Sequence, residues 1–122
     1  MMTTGDKALI LHNPRCSKSR SALKLLQENG IPYEEIRYLD NPPSENFLST
    51  LLVLLGVEPE AIVRKNEQVY KELGLKDKTL SREEWIKILH EYPRLIERPI
   101  VVYKGRAVVG RPPEKVLELI ND

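Results

Sequence analysis

The chain has 122 residues, of which 41% are hydrophobic and 30% charged, and a formal net charge of +1. That length and composition describe one globular domain able to bury its own core. The near-zero charge, without a block of like charges, gives no signature of a nucleic-acid or membrane-surface partner. A single cysteine, Cys16, excludes an internal disulfide framework and fits a reducing cytoplasm.

Met1–Lys7 reads as a frayed lead-in with nothing resembling a signal peptide, and no apolar run has the length of a membrane span. A cytoplasmic location is the expectation. Ala8–Leu11 is short and continuously apolar, as in a strand covered on both faces. A tight loop, His12–Arg15, leads to a helix expected over Ser17 to about Asn29, with Gly30 able to take the left-handed conformation just after it. Tyr33–Leu39 has the mixed polarity of a half-exposed or edge strand. Strand, helix and strand at this spacing form a right-handed parallel βαβ unit.

Asp40-Asn41-Pro42-Pro43 is a firm break. Beyond it, Ser44 can cap a helix carrying Phe47, Leu48, Leu51, Leu52 and Leu55 and closed by Gly56. Shorter helices are expected from Pro59 to Val63 and around Val69, Tyr70 and Leu73. Ser81-Arg82-Glu83-Glu84 is a capping box ahead of Trp85, Ile86 and Leu89. Residues 44 to 96 thus read as a helical insertion. Ile100–Tyr103 and Arg106–Val109 then form an antiparallel hairpin about Lys104-Gly105. Gly110-Arg111-Pro112-Pro113 breaks the hairpin, and Val116, Leu117 and Ile120 supply the buried stripe of a last helix. The expected fold is α/β, a four-stranded mixed sheet in the order β-α-β, helical insertion, β-β-α, within one domain over residues 1–122. With a cysteine after the first strand, this is the thioredoxin-like plan.

Cys16 falls where the first helix opens, among unpaired backbone N–H groups and at the positive end of the helix dipole. A thiol so placed is pushed toward thiolate, with a pKa of about 3.5–7.5. The same N–H groups can seat an oxyanion. Ser17 and Ser19 can donate to a thiolate or an anion. His12 has two open readings: an imidazolium that stabilises the thiolate, or a neutral ring that holds the loop. His90, near a helix C-terminus, reads as an exposed residue of the cap region. Arg64, Arg98 and Arg111 lie at element boundaries, and a guanidinium matches a tetrahedral oxyanion through its two-pronged donors. Pro99, at the start of Ile100–Tyr103, takes the place of the cis-proline that faces the active-site loop in thioredoxin-like sheets. No spacing of His, Cys, Asp and Glu resembles a metal site.

Five motifs are shared with a known family: His-Asn-Pro-Arg-Cys-Ser-Lys-Ser-Arg from His12, Tyr-Leu-Asp-Asn-Pro-Pro-Ser from Tyr38, Val-Arg-Lys-Asn from Val63, Glu-Arg-Pro-Ile-Val-Val from Glu97 and Gly-Arg-Pro-Pro-Glu from Gly110. In order and spacing the chain resembles the glutaredoxin-coupled arsenate reductases from about Ala8 to Ile120, and their short chromosomal branch most. The resemblance implies that Cys16 attacks arsenate, that His12 helps to activate it and that Ser19 lowers its pKa. It implies that Arg64, Arg98 and Arg111 bind the oxyanion, with Asn13, Ser17 and Pro99 shaping the site. No bound cofactor is expected; glutathione would be the co-substrate and glutaredoxin a transient partner, since no second thiol exists in the chain. A regulator of the Spx type, which binds RNA polymerase, shares the fold but carries Cys-x-x-Cys where this chain has Cys16-Ser17-Lys18-Ser19. A glutathione-linked reductase of another substrate is the remaining alternative.

Overall fold

The computed structural model describes residues 7–121; apart from Lys7, the expected lead-in lies outside them. Strand β1 (Ala8–Leu11) leads into helix α1 (Ser17–Glu28) and strand β2 (Tyr33–Ile36). Helices α2 (Glu45–Leu55), α3 (Gln68–Glu72) and α4 (Arg82–Glu91) follow, then strands β3 (Ile100–Tyr103) and β4 (Arg106–Val109) and helix α5 (Leu117–Ile120). Short 3₁₀ turns occupy Pro59–Ile62, Leu75–Asp77, Pro93–Leu95 and Pro113–Val116. The sheet runs β2-β1-β3-β4, with β1 parallel to β2 and antiparallel to β3, and β4 antiparallel to β3. This is the thioredoxin-like arrangement.

Side-chain alternation along the strands divides the core into two layers. Leu11, Ile100 and Val102 point to one face, against Leu48, Leu51 and Leu52 of α2 and Trp85, Ile86 and Leu89 of α4. Ala8, Ile10, Val101 and Tyr103 point to the other, against Ala22 and Leu26 of α1 and Val116 and Leu119. Strands β1 and β3 are therefore apolar on both faces, whereas the edge strand β2 is only half-buried. Each fully buried Leu or Ile contributes about 1.5–3 kcal/mol, so the apolar runs at 8–11 and 100–103 anchor everything attached to their ends.

The local signals act as their chemistry requires. Ser44 Oγ accepts the Phe47 N–H at 3.0 Å, Gly56 closes α2 at φ +68°, and Ser81 and Glu84 form the reciprocal capping box of α4. Lys104 and Gly105 both take positive φ, as a two-residue hairpin turn matched to strand twist demands.

Three details differ from the sequence reading. The extended segment ends at Ile36, because the Asp40 and Asn41 N–H groups both donate to the Arg37 carbonyl, at 3.0 and 2.9 Å, and this turn tucks Tyr38 into the core. The C-terminal helix begins as a 3₁₀ turn, and Val116 and Leu119 fill the buried stripe with Leu117 and Ile120 half-buried beside them. His90 is half-buried: its Nδ1 donates to the Pro43 carbonyl at 2.7 Å, tying the end of α4 to the segment before α2.

Candidate functional site

Four backbone segments meet at one end of the sheet. The loop after β1 is fastened by its own residues. The Cys16 N–H donates to the Asn13 carbonyl at 2.9 Å, closing a tight turn, and the Arg15 N–H donates to Asn13 Oδ1 at 3.0 Å. The Asn13 N–H donates to Ser19 Oγ at 3.0 Å, and Arg20 Nη1 holds the Pro14 carbonyl at 2.8 Å. Cys16 is the N-cap residue of α1, with φ −96° and ψ 124°, and its side chain caps nothing. The thiol is therefore free for chemistry while the first N–H groups of the helix point at it.

Arg64 is brought in from the helical insertion by a short piece of sheet. Val63 and Ile96 form an antiparallel bridge; the Arg64 N–H donates to the Leu95 carbonyl at 2.7 Å and the Glu97 N–H to the Ile62 carbonyl at 2.8 Å. Arg98 follows directly, at the entry to β3, and the Arg98–Pro99 peptide is cis, as is Arg111–Pro112. Arg111 lies beyond the exit of β4, beside the entry to β3, because the strands are antiparallel; its Nη1 donates to the Arg98 carbonyl at 3.1 Å. The Gly110 N–H donates to the Pro99 carbonyl at 2.8 Å, and a Cβ at position 110 would lie 3.0 Å from the Pro99 ring. A larger residue there would need the Pro99 ring to give by a few tenths of an ångström.

The three guanidinium groups meet around a single carboxylate oxygen. Glu97 Oε1 lies 3.9 Å from Arg64 Nε, 3.8 Å from Arg98 Nη1 and 3.8 Å from Arg111 Nε. Arg64 is also held by Glu67, Nη1 to Oε2 at 3.1 Å. Arg98 is the most enclosed of the three, and among the described residues its Nε and Nη1 are buried without a hydrogen-bond partner. Buried donors in that state are costly. An anion seated there would satisfy them.

These charges act on the cysteine. Burial alone would raise the Cys16 pKa, but the Ser19 and Lys18 backbone N–H groups, with the Arg98 and Arg111 guanidiniums, bring it below that of an ordinary thiol. His12 is almost fully buried, and its Nδ1 is 2.7 Å from Ser19 Oγ. Burial lowers its pKa; Glu35 opposes this, and Arg37 and Arg20 add to it. A lowered pKa favours the neutral ring, and the Nδ1 contact with Ser19 ties the imidazole to the start of α1. A proton on Nε2, facing Glu35 Oε1 at 3.8 Å, lets the Ser19 hydroxyl donate to Nδ1 while its oxygen accepts from Asn13. Ser19 thus bears on the Cys16 pKa through its backbone N–H, with its side chain turned to His12; Ser17 is exposed.

Two members of the cluster were not singled out as site residues in the sequence. Tyr38 is buried in the core close enough to feel the charges of Arg98, Arg64, Cys16 and Glu97; burial pushes its phenol up to about 12 against the pull of the two arginines, so it stays protonated. Its place in a Tyr-Leu-Asp-Asn-Pro-Pro motif was the available signal. Glu97, directly before Arg98, is the other. Among the described residues no group of three or more His, Cys, Asp or Glu side chains could hold a metal ion, and no helix is long and apolar enough to cross a membrane.

The sequence model of the ArsC family matches residues 11–119. The YfgD protein of Escherichia coli K12 is 49% identical over 113 residues, covering 92% of this chain and 95% of its own. An arsenate reductase of Neisseria meningitidis is 44% identical, covering 88% of this chain and 92% of its own. The solved structure of an arsenate reductase from Vibrio cholerae superimposes with a TM-score of 0.89 at 48% identity, covering 93% of this chain and 97% of its own.

Proposed function

Because the chain belongs to the ArsC family, we propose that it is an arsenate reductase, an oxidoreductase that uses Cys16 as nucleophile and glutathione as the electron donor. The observation that carries this reading is a thiol of lowered pKa at a helix N-terminus, beside three guanidiniums that share one centre. Arsenate, like a phosphate group, carries about one to two negative charges near pH 7, and guanidiniums supply the paired donors that fit such an ion. Similar relatives and a solved neighbour with the name arsenate reductase support the same substrate.

In the first step the Cys16 thiolate attacks arsenic, an S–As bond forms, and one arsenate oxygen leaves as water after protonation. Arg64, Arg98 and Arg111 hold the remaining oxygens, and Tyr38 can donate to them. The thiolate of glutathione then attacks Cys16 Sγ. The S–As bond breaks with its electron pair left on arsenic, which goes from As(V) to As(III) and departs as arsenite. The two sulfurs are oxidised together to a mixed disulfide. Glutaredoxin clears that disulfide by thiol exchange with a second glutathione. Cys16 is the only cysteine in the chain, so in this reading the resolving thiol comes from outside, which is consistent with a reducing compartment such as the cytoplasm.

Arsenite release, followed by arsenic speciation, is expected to continue over many turnovers with glutathione and glutaredoxin and to stop when the small thiol is withheld. Sustained turnover without any added thiol would contradict the reading.

A further inference from the structure

Three guanidiniums brought to one centre repel each other, and the residue that offsets them is Glu97. Its Oε1 is 3.8, 3.9 and 3.8 Å from nitrogens of Arg98, Arg64 and Arg111. Those separations lie within ion-pair reach but beyond hydrogen-bond length. What fixes the oxygen is a backbone group: the Arg98 N–H donates to Glu97 Oε1 at 3.2 Å. Glu97 therefore cancels charge at the centre of the cluster while leaving the guanidinium donors unspent, as the unpartnered Nε and Nη1 of Arg98 show. The other carboxylate nearby, Glu67, is already taken up, its Oε2 by Arg64 at 3.1 Å and its Oε1 by Arg94 at 3.4 Å.

We propose that Glu97 is the internal counter-ion of the oxyanion seat: its carboxylate opposes an incoming anion at the centre of Arg64, Arg98 and Arg111 and holds the resting affinity of the seat low. The proposal rests on reading that cluster as an anion seat. Glu97 is thus a positioning and charge-setting residue that takes no bond-making role. An anion arriving at the guanidiniums meets a carboxylate at close range in a partly buried site, where like charges are poorly screened.

Glu97→Gln separates charge from shape. Glutamine keeps the acceptor oxygen for the Arg98 N–H and the volume of the side chain, and loses only the charge. Binding of inorganic phosphate, a tetrahedral oxyanion that thiols do not reduce, is measured by titration calorimetry on the full chain. E97Q is expected to bind phosphate at least about fivefold more tightly than the wild type. If Glu97 merely props the arginines in place, E97Q would weaken phosphate binding. Unchanged or weaker phosphate binding by a folded E97Q, where the wild type binds, overturns the counter-ion role and leaves the arsenate reductase reading intact. No phosphate binding by either protein removes the anion seat itself, and the proposal with it. Should E97Q fail to fold by circular dichroism, Glu97→Asp draws the charge back by one methylene. It must then shift phosphate affinity in the same direction for the proposal to stand.

Discussion

Cys16→Ser is expected to lower kcat/KM for arsenate by at least about 10⁴-fold, the scale on which removal of a nucleophile acts. The loss should be one of chemistry and not of folding. Cys16 caps α1 without using its side chain and is only half-buried, and the loop is held by Asn13, Ser19 and Arg20. A serine hydroxyl at this position is not ionised by two N–H groups and two guanidiniums, because its pKa lies far above that of a thiol, and it cannot form the mixed disulfide. The check is arsenite release by the variant beside a circular dichroism spectrum that matches the wild type. Residual activity within tenfold of the wild type would mean that another group carries the reaction.

Arg98→Ala should have the next largest effect, a loss of about ten- to a hundredfold in kcat/KM, corresponding to charge-assisted hydrogen bonds of about 1.5–3 kcal/mol. Arg98 is ranked first among the three because its Nε and Nη1 are buried and unspent, whereas Arg64 Nη1 is already paired with Glu67 and Arg111 Nη1 with the Arg98 carbonyl. Arg98 also lowers the Cys16 pKa. Removing it should raise that pKa, so the rate of alkylation by iodoacetamide, which follows the thiolate, should rise at a higher pH than in the wild type. At pH 6 the variant should react more slowly. Arg98→Lys should restore the alkylation profile better than turnover, since lysine returns the charge but not the planar pair of donors. An Arg98→Ala protein with unchanged kinetics and an unchanged pH profile would remove Arg98 from the site.

Much of the framework is legible in the chain because its signals are local. The apolar runs at 8–11 and 100–103, the Lys104-Gly105 turn, the Ser44 cap with Gly56 and the Ser81–Glu84 box each determine an element within a few residues. The position of Cys16 at a helix start is equally local. What escapes is whatever depends on segments meeting. Tyr33–Leu39 has a strand-like composition throughout, yet the turn on the Arg37 carbonyl takes Tyr38 out of the sheet and into the arginine cluster. Glu97 stands in the Glu-Arg-Pro-Ile-Val-Val motif with no site role of its own until the Val63–Ile96 bridge aligns Arg64 beside it and the hairpin returns Arg111. His12 could be charged or neutral by sequence; its burial and its contact with Ser19, which weigh on that choice, come only from the fold.

The central claim is that one thiol attacks arsenate and an external thiol resolves the adduct, and intact-mass analysis of Cys16 tests it most directly. The reduced protein is mixed with arsenate and glutathione in the absence of glutaredoxin and quenched with acid. The expected result is a single glutathione attached to the protein, at Cys16 by peptide mapping, with one arsenite released per protein, and neither product when arsenate is omitted. Glutathione attached equally with and without arsenate, or arsenite released with Cys16 unmodified, would contradict it.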